Sequence, residues 1–239
     1  MIIQTSDSFA KKQQLAISLV GLSERPQRAI SSAALLFVAF EIFLITMHFI
    51  MTGFFGAIAD RTADGHIGGF DLNDEATVAV WFSSFQLLLI SLCCWLNSFV
   101  DRTSIGAVGS RRFWRFGFYL FLIMSVDETG GLHEIFGKAM NIIFPTLSIS
   151  PSIWWTIPYA LAIGFFLLFL LFKSIRQPTL LVILAAFTLS WFIANVLEHI
   201  HVFDMSVNIA IEEGLEMFGA TMLLLALSRI FIKEASQLA

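Results

Sequence analysis

The chain has 239 residues, 57% of them hydrophobic and 13% charged, with 26 Phe and a mean hydropathy of +0.82. Soluble domains are near half apolar and a quarter charged, so this balance excludes an ordinary water-soluble domain. A net charge of −4 and a pI near 5.7 give no basic face for nucleic acid, so no nucleic-acid partner is expected.

What remains is an all-α polytopic membrane helix bundle. The length supplies about six transmembrane helices of ~20 residues with short loops, and leaves no room for a separate soluble domain. Residues 1 to 28 are polar, carry Lys11, Lys12, Arg25 and Arg28, and lack the pattern of a cleaved signal. They read as a cytoplasmic N-terminal tail, and 29 to 239 as one six-helix transmembrane domain.

The first span is expected from about Ala29 to Ile58. It carries Glu41 and His48, seven residues apart and so on one helix face. A Gly- and Asp-rich loop, Ala59 to Asp74, follows and reads as a solvated acidic loop. The second span runs from about Ala76 to Val100, with Asn73 or Asp74 as its N-cap. Cys93 and Cys94 lie side by side in it, facing lipid or core, with no second pair to make a metal or redox site.

A basic loop, Asp101 to Arg112, leads to a third span starting near Phe113. Within it Ser125-Val126-Asp127-Glu128-Thr129-Gly130-Gly131-Leu132-His133-Glu134 sets ionisable groups into an apolar segment. Pro145 and Pro151 punctuate the next loop. The fourth span, about Ile153 to Phe172, opens on Trp154-Trp155, as an interfacial aromatic belt does. A short basic turn, Lys173 to Gln177, ends at Pro178. The fifth span, about Thr179 to Val202, closes on Glu198-His199-Ile200-His201. The sixth, about Val207 to Ile232, opens on Glu212-Glu213-Gly214-Leu215-Glu216.

Placing both termini in the cytoplasm leaves only Arg61 and Lys138 of the 14 Lys and Arg outside, as the positive-inside rule requires. At ~1.5 Å per residue, Glu41, Asp127, Glu128 and Glu216 then lie about 18 to 20 Å above the cytoplasmic boundary. His48, His133, Glu134, Glu198, His199, His201, Glu212 and Glu213 lie nearer the outer boundary. Spans one, three, five and six converge on this level, while two and four read as packing or lipid-facing elements.

A charge near the bilayer centre costs roughly 2.5 to 3.5 kcal/mol on insertion scales, so grouped intramembrane acids call for a partner. Lys138 is the one basic residue close by in sequence. A transition metal, iron or zinc, accepts mixed carboxylate and imidazole ligands. The candidate ligands are Glu128, His133, Glu198, His201, Glu213, Glu216 and His48. Glu41, Asp127 and Glu134 are the candidate catalytic groups, as proton shuttles or as orienters of the ligands. Glu212, Glu213 and Asp204 also fit a plainer role as acids favoured at a helix start, and His199 fits one as an interfacial histidine.

Glu198-x-x-His201 and Glu213-x-x-Glu216 partly resemble the carboxylate-bridged di-iron helix bundles. Those use two Glu-x-x-His pairs and one Glu from each of two further helices. One pair is intact here; in the third span His133 follows Glu128 by five residues instead. On a straight helix that offset turns ~500° and leaves the side chains about 140° apart. Either the helix bends at Gly130-Gly131, or Asp127 and Glu134 are the pair that share a face; the second needs no distortion and is the expectation. The motif Ser-x-Asp-Glu-x4-His-Glu also resembles a pattern in uncharacterised bacterial multi-span membrane proteins. That likeness covers about ten residues, and it implies a multi-pass protein of the bacterial inner (cytoplasmic) membrane.

The sequence supports three functions. A metal-dependent membrane enzyme, oxidoreductase or hydrolase, acting on a lipid-soluble substrate comes first. An accessory subunit of a membrane complex, with other membrane subunits as partners, is the alternative. A proton- or cation-coupled transporter is the third. Membrane lipid is the partner common to all.

Overall fold

A computed structural model describes residues 25–49, 69–72, 77–101, 107–147, 149–200 and 202–237. They form α1 (Arg25–Phe49), α2 (Val78–Val100), α3 (Ala107–Gly130), α4 (Leu132–Ile143), a 3-10 turn (Pro145–Leu147), α5 (Pro151–Ser174), α6 (Pro178–His199) and α7 (Met205–Ser236), with no strand among the described residues. Five of these, α1, α2, α5, α6 and α7, are long and apolar enough to cross a membrane. α3 carries Arg111, Arg112, Arg115, Asp127 and Glu128 and is not among them. The expected end of the first span at Ile58, most of the following loop, and the expected caps Asn73 and Asp74 lie outside the described residues.

Local chemistry sets the boundaries. Pro151 and Pro178 each occupy the first turn of a helix, where a missing N–H costs nothing. Thr77 caps α2, its hydroxyl accepting from the Val80 amide at 3.4 Å. The expected loop up to Arg112 is shorter, because α3 is already helical from Ala107. The third span is not one helix. Gly131 takes φ 56°, a left-handed conformation that glycine enters without a Cβ penalty, and divides α3 from α4.

α2 packs between α3 and α7, α7 pairs with α6, and α5 bridges α3, α4 and α6. The main core is aromatic: Trp114, Phe121, Phe166 and Phe187 are fully buried, and Phe113 stacks on Phe169 at 4.6 Å. Interhelical hydrogen bonds add to these contacts. α2 and α3 are joined by a reciprocal clasp in which Ser84 Oγ donates to the Ser125 carbonyl at 2.6 Å and Ser125 Oγ to the Ser84 carbonyl at 2.8 Å. Asn208 fastens α7 to α6 by donating to the Leu197 carbonyl at 3.0 Å.

The expected turn before Pro178 is present, but Lys173 at its head is buried in a junction. Lys173 Nζ lies 2.7 Å from Asp101 and 3.1 Å from Glu234, and Trp114 Nε1 donates to Asp101 at 2.6 Å. Ser110 also bonds this carboxylate. The junction ties one end of α3, α5 and α7 to the end of α2.

Candidate functional site

At the opposite end of the bundle, α3, α4, α5, α6 and α7 enclose a cavity of about 560 Å³, with α2 at its wall. The acids that reach it come from separate elements. α3 supplies Asp127 and Glu128, α4 supplies His133 and Glu134, α6 supplies Glu198, and α7 supplies Glu212, Glu213 and Glu216. Spacing on α7 explains its share, since residues three and four apart lie on one face and Glu212, Glu213 and Glu216 fill one such stripe. Among the described residues, no Lys or Arg lines the cavity.

The break at Gly131 organises the other side. Asp127 Oδ1 accepts from the His133 backbone amide at 2.6 Å and lies 3.0 Å from His133 Nδ1. It therefore caps the first turn of α4, satisfying an amide that has no partner inside the helix. Its other oxygen accepts from the Tyr159 hydroxyl on α5 at 2.5 Å. A carboxylate at Nδ1 fixes the ring with that nitrogen protonated, which leaves Nε2 with the available lone pair. The ring rests on Trp155 with centroids 4.7 Å apart.

This arrangement corrects the expected straight helix. The third span breaks at the glycines, and Asp127, Glu128, His133 and Glu134 all line the cavity. Glu134 also pairs with Lys138 at 2.7 Å on a more exposed surface.

α1 contributes no residue to the cavity lining. Glu41 is buried and accepts from Gln86 Nε2 at 2.9 Å and Thr221 Oγ1 at 2.6 Å, joining α1 to α2 and α7. His48 is buried elsewhere. Its Nε2 lies 2.9 Å from Ser206 Oγ, its Nδ1 accepts from the Leu72 amide at 3.3 Å, and Asp71 stands 3.7 Å away. His201 lies outside the described residues. The cluster is thus drawn from α3, α4, α6 and α7, rather than from four spans that include the first.

α5, expected to be a packing element, supplies Trp155, Thr156 and Tyr159, and α2 supplies Gln86 to Glu41. The one available signal for Tyr159 was its rarity, as one of 2 Tyr in the chain. Among the described residues, no three His, Cys, Asp or Glu side chains stand close enough, as placed, to enclose a metal ion.

No curated protein and no solved structure matches the chain significantly. A family model described as a domain of unknown function, DUF8692, matches residues 25–231, which takes in every described helix except the last few residues of α7. The chain therefore belongs to the DUF8692 family.

Proposed function

We propose that the protein is a multi-pass enzyme of the bacterial inner membrane, with both termini cytoplasmic, that uses a transition metal, iron or zinc, in the acidic cavity to act on a lipid-soluble substrate. The supporting observation is the Asp127–His133 pair facing Glu128, Glu198, Glu213 and Glu216 in a cavity lined by no Lys or Arg among the described residues. That many carboxylates in an apolar bundle need cations or protons, and a carboxylate-oriented imidazole among them is the usual setting of a metal ligand. The ligands in this reading are Glu128, His133, Glu198, Glu213 and Glu216, joined by His201. Asp127 orients His133. Glu134, paired with Lys138 toward the exposed edge, passes protons. A bound metal supplies either redox chemistry or an activated water. In this reading Glu41 and His48 hold the bundle together.

The test is elemental analysis of protein purified without chelator. At least substoichiometric iron, zinc, manganese or copper is expected, and a loss of it in the Glu198→Ala/His201→Ala double variant. Folded protein that binds none of these ions removes the enzyme reading.

A second reading is proton- or cation-coupled transport, supported by the grouping of Glu128, Glu198, Glu212, Glu213 and Glu216 in a cavity that no Lys or Arg lines among the described residues. Under that reading, vesicles containing the protein show a proton or cation flux that Glu216→Gln abolishes and chelators leave intact. Absence of flux under imposed gradients removes it.

A further inference from the structure

The cavity is long and chemically divided. Along α5 its lining runs from Trp155 to Leu167, which at 1.5 Å per residue is ~18 Å. α6 runs alongside in the opposite sense, with Ser152 Oγ 3.4 Å from His199 Nε2 where the start of α5 meets the end of α6. The carboxylates therefore gather at the Trp155 end. The far limb, beside Ile163, Leu167, Phe187 and Ala220, is apolar. The volume of about 560 Å³ is far more than a metal ion fills, and falls in the range of ~300–1,000 Å³ typical of small-molecule sites.

Gly164 lies in this apolar limb. A glycine inside a helix costs about 1 kcal/mol relative to alanine, so packing usually accounts for one that persists. Packing accounts for Gly117 and Gly219, where a Cβ would run into the rings of Phe166 and Trp191. It does not account for Gly164, where a Cβ would meet no atom within 4 Å. The space above Gly164 belongs to no part of the described protein, and it continues the acid-lined chamber.

We propose that this limb holds the hydrocarbon chain of a single-chain amphiphile whose head group donates hydrogen bonds, a long-chain alcohol or amine, and that Gly164 keeps the room for it. The head is set by charge. Carboxylates accept hydrogen bonds and attract ammonium, and because Asp127, Glu128, Glu198, Glu212, Glu213 and Glu216 outnumber the charge of one divalent ion and no Lys or Arg is among the described lining residues, a carboxylate or phosphate head is repelled. Aromatic faces at Trp155, Trp191 and Phe192 suit both a chain and a cationic head. This names the substrate class for the site proposed above and relies on that reading only for the place where the head reacts.

The test uses the purified full-length protein in nanodiscs of zwitterionic lipid, with photoactivatable long-chain alcohol, amine and fatty acid as probes. The alcohol and the amine are expected to label α5 and α6 near Leu167 and Phe187, and the fatty acid about tenfold less. Gly164→Leu and Gly164→Phe are expected to cut labelling about tenfold while metal content stays at the wild-type level. Gly164→Ala meets nothing in the fold, keeps the wild-type melting temperature, and labels at an intermediate level if the limb is the site. Equal labelling by the fatty acid, or full labelling of Gly164→Leu, overturns the proposal. Metal without selective labelling removes this inference alone, and selective labelling without metal removes the metal reading alone.

Discussion

Asp127 reaches across the Gly131 break to hold His133 twice, by the backbone amide at 2.6 Å and by Nδ1 at 3.0 Å. One carboxylate thus both starts α4 and aims the imidazole. Local folding and site geometry are coupled through this pair, and the first two predictions separate them.

Asp127→Asn keeps an acceptor for the amide but removes the carboxylate from Nδ1. Metal affinity, measured by competition with a chromogenic chelator, is expected to fall about 10–100-fold, the usual cost of losing an outer-shell carboxylate. Unchanged affinity would mean that His133 is not a ligand.

Gly131→Ala forces a Cβ into a left-handed conformation and is expected to cost about 1–2 kcal/mol in detergent unfolding. Gly130→Ala is expected to be neutral or to stabilise by up to about 1 kcal/mol, since Gly130 is helical and its Cβ would come no nearer than 3.7 Å to Leu132. Equal losses at both positions would contradict a break centred on Gly131.

At the other end, Lys173→Ala removes the ammonium that lies 2.7 Å from Asp101 and 3.1 Å from Glu234. A loss of about 3–5 kcal/mol is expected, as for breaking a buried ion pair from one side. Adding Asp101→Asn and Glu234→Gln is expected to restore a large part of it. A melting temperature insensitive to Lys173→Ala would place this junction in water.

Orientation is read with single cysteines in a background lacking Cys93 and Cys94. In right-side-out cells an impermeant maleimide is expected to label cysteines at Lys138 and His66 but not at Arg176 or Gln237. The opposite pattern would invert the proposed topology.

Much of the helix plan was legible because its punctuation is local. Pro178 announces a helix start on its own, and the apolar runs of α2, α5, α6 and α7 carry their lengths with them, although Pro151, expected in the loop, is itself the first residue of α5. The acids of the cavity stood out for the same reason, as charges inside apolar sequence. Pairing was not legible. Lys173 counts as a surface anchor until Asp101 and Glu234, on two other helices, are brought to it. Glu41 and His48 share a face as expected, but the groups that claim them, Gln86, Thr221, Ser206 and Leu72, are set by tertiary packing. Trp155 reads as part of an interfacial belt in sequence and Tyr159 as nothing in particular, and only the position of α5 puts them against His133 and Asp127. The third helix breaks where a straight one is expected because Asp127 offsets the cost of the distortion by capping α4.

The Lys173 junction fixes one end of α5. Trp155 lies 18 residues from it, ~27 Å along the axis, so a 10° rocking about Lys173 would carry Trp155 through about 5 Å and Phe169 through only ~1 Å. Spin labels at Trp155 and Ile200 are expected to give a broader distance distribution than a pair at Phe172 and Arg112; equal widths would mean a rigid rod in a rigid frame. Rocking of this kind would have to strain the bonds from Trp154 to Asn141 and from Tyr159 to Asp127, while the aromatic packing beside the fulcrum, Phe169 on Phe113, stays in register.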